Sequence, residues 1–276
     1  MDDATDDQDD PRGDLLALLG RAKAVLFDFD GPICALFAGR PRDPRTRSTT
    51  KDVADDIKHA AREEWGRARL APDVEECVDS HHALLRLRLM YDAEPDDLSP
   101  VALKRAEDIV TRAEDAAVET AVRAWGVLTL VKVLSSDLGK RLAVVSNNAE
   151  DPIRRYLELP GVRLHSNFDG VFGRDPDDAR LMKPDPDCVR RAIDKLSVKA
   201  SECLLIGDKI SDLDAARSAG TSFIGYTKKR ARATQMKDRG AEVVVSSHHP
   251  VIRAARTLRE LPPNSPPECR VRPRRS

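Results

Sequence analysis

Residues 23–32 read KAVLFDFDGP, and the fold follows from how this stretch is read. An apolar run, Ala24–Phe27, stops at two aspartates, Asp28 and Asp30, with Gly31 directly after. A run so short and so uniformly apolar reads as a strand buried on both faces, and the glycine as a tight turn. In open α/β sheets, ligands lie outside the carboxyl ends of the strands. Asp28 and Asp30 therefore stand where chemistry is expected. The remaining question is whether other groups converge on them.

Upstream, residues 14–20 read as a short helix. Residues 1–13 carry six aspartates and almost nothing apolar, which reads as a disordered acidic tail. Downstream, 32–50 is irregular, with Gly39, Pro41, Pro44 and arginines at 40, 42, 45 and 47. Those arginines read as a solvated linker. Segments 50–70, 73–91 and 97–125 read as helices, with Asp73 after Pro72 and Ser99-Pro100 as the expected starts of the second and third. No strand-like run interrupts this block, so 33–125 is expected to be an all-helical insertion.

After Gly126 the texture changes. Helices at 127–138, 150–159, 185–196, 211–219, 229–239 and 250–261 alternate with strands at 141–145, 168–172, 203–206, 221–225 and 242–245. Such alternation implies right-handed crossovers and a parallel sheet. The expected architecture is α/β. A Rossmann-like parallel core is built from 14–32 and 126–261, the helical insertion spans 33–125, and a proline- and arginine-rich disordered tail runs from 262 to 276.

Composition narrows the function class. The 276 residues are 41% apolar but only 4% aromatic, so aliphatic side chains must fill the core. A net charge of −1 gives no reason to expect bulk attraction to nucleic acid or membrane. No apolar run approaches the ~20 residues of a membrane span. The five cysteines, Cys34, Cys77, Cys188, Cys203 and Cys269, are scattered and form no CxxC, which suits reduced thiols in the cytoplasm. The acidic start is the reverse of a secretory leader.

Four segments carry polar residues of a particular kind. The first ends at Asp28-Phe29-Asp30-Gly31. The second, LAVVSNN, ends at Ser146-Asn147. The third is Lys183-Pro184, opening a helix. The fourth, CLLIGDKISD, ends at Gly207-Asp208, with Asp212 four residues on. Together they supply a nucleophile, a hydroxyl, a cation and an acidic pair, the set that phosphoryl transfer needs. A phosphate dianion repels a carboxylate nucleophile, so charge must first be neutralised. Mg²⁺ does this with hard oxygen ligands, which Asp28 and Asp208 could supply. Lys183 adds a point charge against phosphate oxygens. Ser146 and nearby N–H groups could hold the transferring group. One aspartate attacks to form an acyl phosphate, and a second exchanges protons with the leaving oxygen and with water.

These motifs, in this order, resemble the haloacid dehalogenase-like superfamily. The similarity lies with its subgroup of phosphoglycolate phosphatase and beta-phosphoglucomutase-like enzymes, which carry a helical cap. The resemblance covers the layout of residues 22–245. It implies Asp28 as nucleophile and metal ligand, and Asp30 as general acid/base with its carbonyl on the metal. It implies Ser146 as the phosphate-binding hydroxyl, with Phe29 and Asn147 supplying nearby contacts. Lys183 would stabilise nucleophile and phosphate, and Asp208 and Asp212 would serve as acidic metal ligands. The helical block then looks like the cap, which chooses the substrate. The run Gly31-Pro32-Ile33-Cys34-Ala35-Leu36 departs from the family's usual small or β-branched residue and later Asp-Ser. The resemblance therefore does not reach a particular substrate.

The expected activity is Mg²⁺-dependent hydrolysis of a small-molecule phosphate monoester by a cytoplasmic monomer or homodimer. A phosphomutase, and a non-catalytic phosphate-ligand module on the same fold, are the alternatives. Asp208, Asp212 and Asp214 do not make a calcium loop, because Leu213 and Ala219 stand where glycine and glutamate are needed. Asp214 reads as a helix-surface residue. His81-His82 and His248-His249 read as surface histidines, and Cys34 as a buried structural thiol.

Overall fold

The computed structural model describes residues 12–38, 49–68 and 70–261. Most of the acidic segment, arginines 40, 42, 45 and 47, Cys269 and the segment from 262 to 276 lie outside the described residues. Helix α1, Arg12–Arg21, begins two residues inside the stretch expected to be a tail.

The strands are β1 (Ala24–Phe27), β2 (Cys34–Ala35), β3 (Val122–Arg123), β4 (Arg141–Val145), β5 (Gly170–Phe172), β6 (Cys203–Gly207), β7 (Ser222–Tyr226) and β8 (Val243–Val245). Six of them form one sheet in the order β5-β4-β1-β6-β7-β8. Every pairing in it is parallel. Strand β1 lies between β4 and β6, so the carboxyl ends of three motif-bearing strands are adjacent.

The remaining helices are α2 (Thr50–Trp65), α3 (Pro72–Glu75), α4 (Ser80–Ala93), α5 (Val101–Val118), α6 (Val127–Lys132), α7 (Glu150–Glu158), α8 (Asp187–Leu196), α9 (Ile210–Ala219), α10 (Arg230–Asp238) and α11 (His249–Glu260). Alternation along β1 explains why its run is wholly apolar. Val25 and Phe27 pack on one face with side chains of α1, α6, α7 and α11. Ala24 and Leu26 pack on the other with side chains of α8, α9 and α10. Parallel strands covered on both faces read as continuous apolar segments rather than alternating ones.

Helices α2–α5 bury a core of their own, centred on Ile57, Leu84, Leu87 and Val110. Several expected boundaries move here. Helix α2 stops at Trp65, because Gly66 takes a left-handed φ of 60° and ends it. The single helix expected over 73–91 is two. Pro72 opens the one-turn α3, with Asp73 inside it rather than capping it. Asp79 is the cap that starts α4, accepting from the N–H groups of His81 and His82. Helix α5 ends at Val118, well short of residue 125. Beyond it Val122–Arg123 pairs antiparallel with Cys34–Ala35, so a two-residue ribbon closes the neck of the block. Two residues are too few for periodicity to reveal, and the pairing forms only because the block's ends meet. Among the described residues no helix is long and apolar enough to cross a membrane.

Leu26 is fully buried in the central strand. Leu26→Ala is expected to lower unfolding free energy by about 2–5 kcal/mol in a denaturant titration, the usual cost of a cavity in a close-packed core.

Candidate active site

The chain turns sharply after β1. Asp28 N–H still bonds to Ile206 O at 2.9 Å, completing the strand ladder. Phe29 N–H bonds to Asp28 Oδ1 at 2.8 Å, while the Phe29 ring turns away and packs edge-on against Tyr156 in the core. Leu36 N–H holds Asp30 Oδ1 at 3.0 Å. Gly31 has φ +114°, and a Cβ there would lie 2.8 Å from Asp208 Cγ. Only glycine lets the β6 carboxylate approach this turn so closely.

Lys183 comes from the loop before α8 and is buried beneath the turn. Its ammonium donates to Asp28 Oδ1 at 2.9 Å, Asp212 Oδ1 at 2.5 Å and Val145 O at 3.2 Å. Burial works against the charge, but Asp212 and Asp28 outweigh it and hold the pKa well above the ordinary lysine value. The side chain of Asn147 clamps the lysine's backbone. Its Oδ1 accepts from Lys183 N–H at 2.8 Å, and its Nδ2 donates to Lys183 O at 3.1 Å. The Asn147 side chain thereby orients Lys183 while also lining the hollow.

Asp28, Asp208 and Asp212 each place a carboxylate oxygen within 4.8 Å of the others. Burial, reinforced by Asp212, pushes Asp28 up to about 6, against the pull of Lys183. Burial and the charges of Asp28 and Asp212 push Asp208 up to about 7. Asp208 Oδ2 accepts from Arg232 at 3.0 Å, whereas Asp208 Oδ1 is buried with no partner. An orphaned oxygen beside two further carboxylates fits a hard cation such as Mg²⁺. Asp212 fits less directly, since Lys183 takes Oδ1 and Lys209 N–H takes Oδ2 at 2.8 Å.

Ser146, at the end of β4, is buried, with its Oγ 3.1 Å from Asn148 Oδ1. Behind it lies a group the sequence did not reveal. Glu114 of α5 is buried and accepts from Asn148 Nδ2 at 2.8 Å and Ala149 N–H at 2.9 Å. Buried Arg174 grips both Glu114 oxygens at 2.7 and 2.9 Å, and also both oxygens of Glu107. Desolvation opposes the Glu114 charge, but Arg174 and His81 bring its pKa down to about 2.

The hollow above Asp28 is lined by Asp30, Ser146, Lys183, Asp212, Lys209 and His81, among others. His81 is therefore no surface histidine. It is half-buried, with Nε2 2.9 Å from Glu114 Oε1. Nor is His248, which is wholly buried, donates from Nε2 to Pro32 O at 2.7 Å and stacks on Tyr226. Asp214 lies away from the hollow, paired with Arg239 on the surface. Cys34 is buried and unbridged.

The haloacid dehalogenase-like hydrolase family profile matches residues 22–220. The chain is 30% identical over 211 residues to a phosphoglycolate phosphatase of Rhodospirillum rubrum, covering 75% of this chain and 82% of that one. A predicted phosphatase from Clostridium acetobutylicum shares the fold with a TM-score of 0.56 at 20% identity, over 86% of this chain and 98% of that one. CbbY from Rhodobacter sphaeroides, solved with phosphate, does so with a TM-score of 0.55 at 18% identity, over 82% and 94% of the two chains.

The raised carboxyl pKa values have a signed consequence. Folded Asp208 binds a proton up to about pH 7, against 3.8 ordinarily. With divalent ions chelated, its contribution to stability is full below about pH 4 and is lost as pH rises through about 7. Asp208→Asn does not ionise. The melting-temperature difference, variant minus wild type, should therefore grow more positive between about pH 4 and pH 8. A difference that stays flat across that range contradicts a raised Asp208 pKa.

Proposed function

The chain belongs to the haloacid dehalogenase-like hydrolases, and on that premise we propose that it is a Mg²⁺-dependent phosphatase of small-molecule phosphate monoesters, working through a phosphoryl group carried on Asp28. The observation that carries this reading is the Lys183 ammonium held between Asp28 and Asp212, with the partnerless Asp208 oxygen alongside. The relatives named as phosphatases support the same reaction class.

Asp28 and Asp208 would hold the ion directly, with Asp212 assisting at one remove. When bound, Mg²⁺ neutralises the charge that otherwise keeps a phosphate dianion from a carboxylate. Asp28 attacks phosphorus, and the ester P–O bond breaks as the acyl-phosphate bond forms. Asp30, anchored through one oxygen by Leu36 N–H, gives its proton to the leaving oxygen. It then takes a proton from water, whose oxygen attacks the acyl phosphate, releasing inorganic phosphate and restoring Asp28. Ser146 Oγ binds a phosphoryl oxygen once its hydrogen turns from Asn148 Oδ1 to the substrate, and the Lys183 charge stabilises the phosphoryl group through both steps. Helices α2–α5 act as a cap over the hollow, presenting His81 to the part of the substrate beyond the phosphate.

Release of inorganic phosphate from p-nitrophenyl phosphate tests the proposal. Activity should vanish with a chelator and return with Mg²⁺. Asp30→Asn should lower kcat by about 10²–10⁴-fold, and Asp28→Asn should abolish turnover. Unchanged turnover in a well-folded Asp28→Asn variant would falsify the mechanism.

A further inference from the structure

A buried ion pair needs a reason to exist. Removing two charges from water costs more than their attraction commonly returns, and apolar replacements of such pairs are often as stable. Here a core arginine, Arg174, meets two glutamates of one helix, Glu107 and Glu114, and all three are buried. The glutamates are not equivalent. Beyond Arg174, Glu107 bonds to Thr111 of its own helix. Glu114 instead receives the Asn148 amide and the Ala149 N–H, from the two residues that follow Ser146-Asn147. The arginine completes the clamp from below, donating from Nη1 to Asn147 O at 3.1 Å and from its own N–H to Asn148 O at 3.0 Å. Asn148 then reaches the site itself, with Oδ1 3.1 Å from Ser146 Oγ.

We infer that Glu114 is a positioning residue for the phosphate-binding loop: α5 supplies the carboxylate that holds residues 147–149, and through Asn148, which accepts the hydroxyl hydrogen at Oδ1 and donates its N–H to Oγ, it fixes where Ser146 Oγ stands. The inference rests on the reading of the hollow as a phosphate site. It gives helix α5 a part in building the core's own anion-binding loop, in addition to any contact the helical block makes with substrate. His81 shares the same carboxylate, so one anion orients both the loop below the hollow and the imidazole at its rim.

Glu107 provides a matched control, since it carries the same pairing with Arg174 and no bond to the loop. The experiment is calorimetric titration of the full chain with inorganic phosphate in the presence of Mg²⁺, together with melting temperature and the kcat and KM for p-nitrophenyl phosphate. Both Glu114→Gln and Glu107→Gln should lower the melting temperature. Only Glu114→Gln should also weaken phosphate binding, by about 10–100-fold, the cost typical of losing a group that orients a metal ligand. Equal losses of phosphate affinity in the two variants, or none in Glu114→Gln, overturn the inference. Should Glu114→Gln fail to fold, Asn148→Ala leaves the ion pair whole and carries the same expectation, and unchanged phosphate affinity there overturns it. Failure of the phosphatase reading shows separately, as unchanged turnover in Asp28→Asn, and phosphate binding tests the role of Glu114 either way.

Discussion

Three carboxylates from two strand ends and a helix crowd together and repel one another, and the buried ammonium of Lys183 bonds to two of them, Asp28 and Asp212. Its bonds run to β1 through Asp28, to β4 through the Val145 carbonyl and to α9 through Asp212. The lysine thereby ties together the elements that carry the site. Burial first, and the neighbouring carboxylates second, leave Asp28 and Asp208 harder to ionise than ordinary aspartates. Buried carboxylates crowded in this way suit a hard cation.

The backbone makes this crowding possible. Gly31 lets Asp208 approach the turn after β1. Gly207 does the same for Asp212, since a Cβ at Gly207 would stand 2.4 Å from the aspartate's own Cβ. The parallel sheet aligns the carboxyl ends of β1, β4 and β6, and the two glycines set how near their side chains come. The helical block is joined to this core by more than apolar packing. Arg174, Glu107 and Glu114 form a buried ionic bridge between them. A site assembled from both parts needs them in one register, and directional charged hydrogen bonds enforce register where aliphatic contacts would tolerate slippage.

Much of this was legible in the residues. The uniformly apolar runs before Asp28, Ser146 and Asp208 marked strands buried on both faces, and the helix periodicity between them marked a parallel sheet. The ordered acids, hydroxyl and lysine read as a phosphate site, and the structure brings Asp28, Asp30, Ser146, Lys183 and Asp212 around one hollow, with Asp208 clustered against Asp28 and Asp212. Other features stayed hidden because they have no local pattern. Glu114 looks like any charged residue of an amphipathic helix, and Arg174 like a loop arginine. His81 and His248 had no ligand-spaced companions, so spacing alone placed both on the surface. Asp79 does not stand out as a cap in the sequence, because Pro72-Asp73 offers an earlier and equally good signal.

What the sequence alone determined was set by short-range rules: which segments are strands or helices, and which residues stand at the carboxyl end of a strand. Those properties depend on apolar periodicity and on neighbours a few positions away. Partnership was decided only by the folded chain. Lys183 faces Asp28 across 155 positions, and Arg174 faces Glu114 across 60. The energy of such pairs depends on distance and burial, which no one-dimensional spacing encodes.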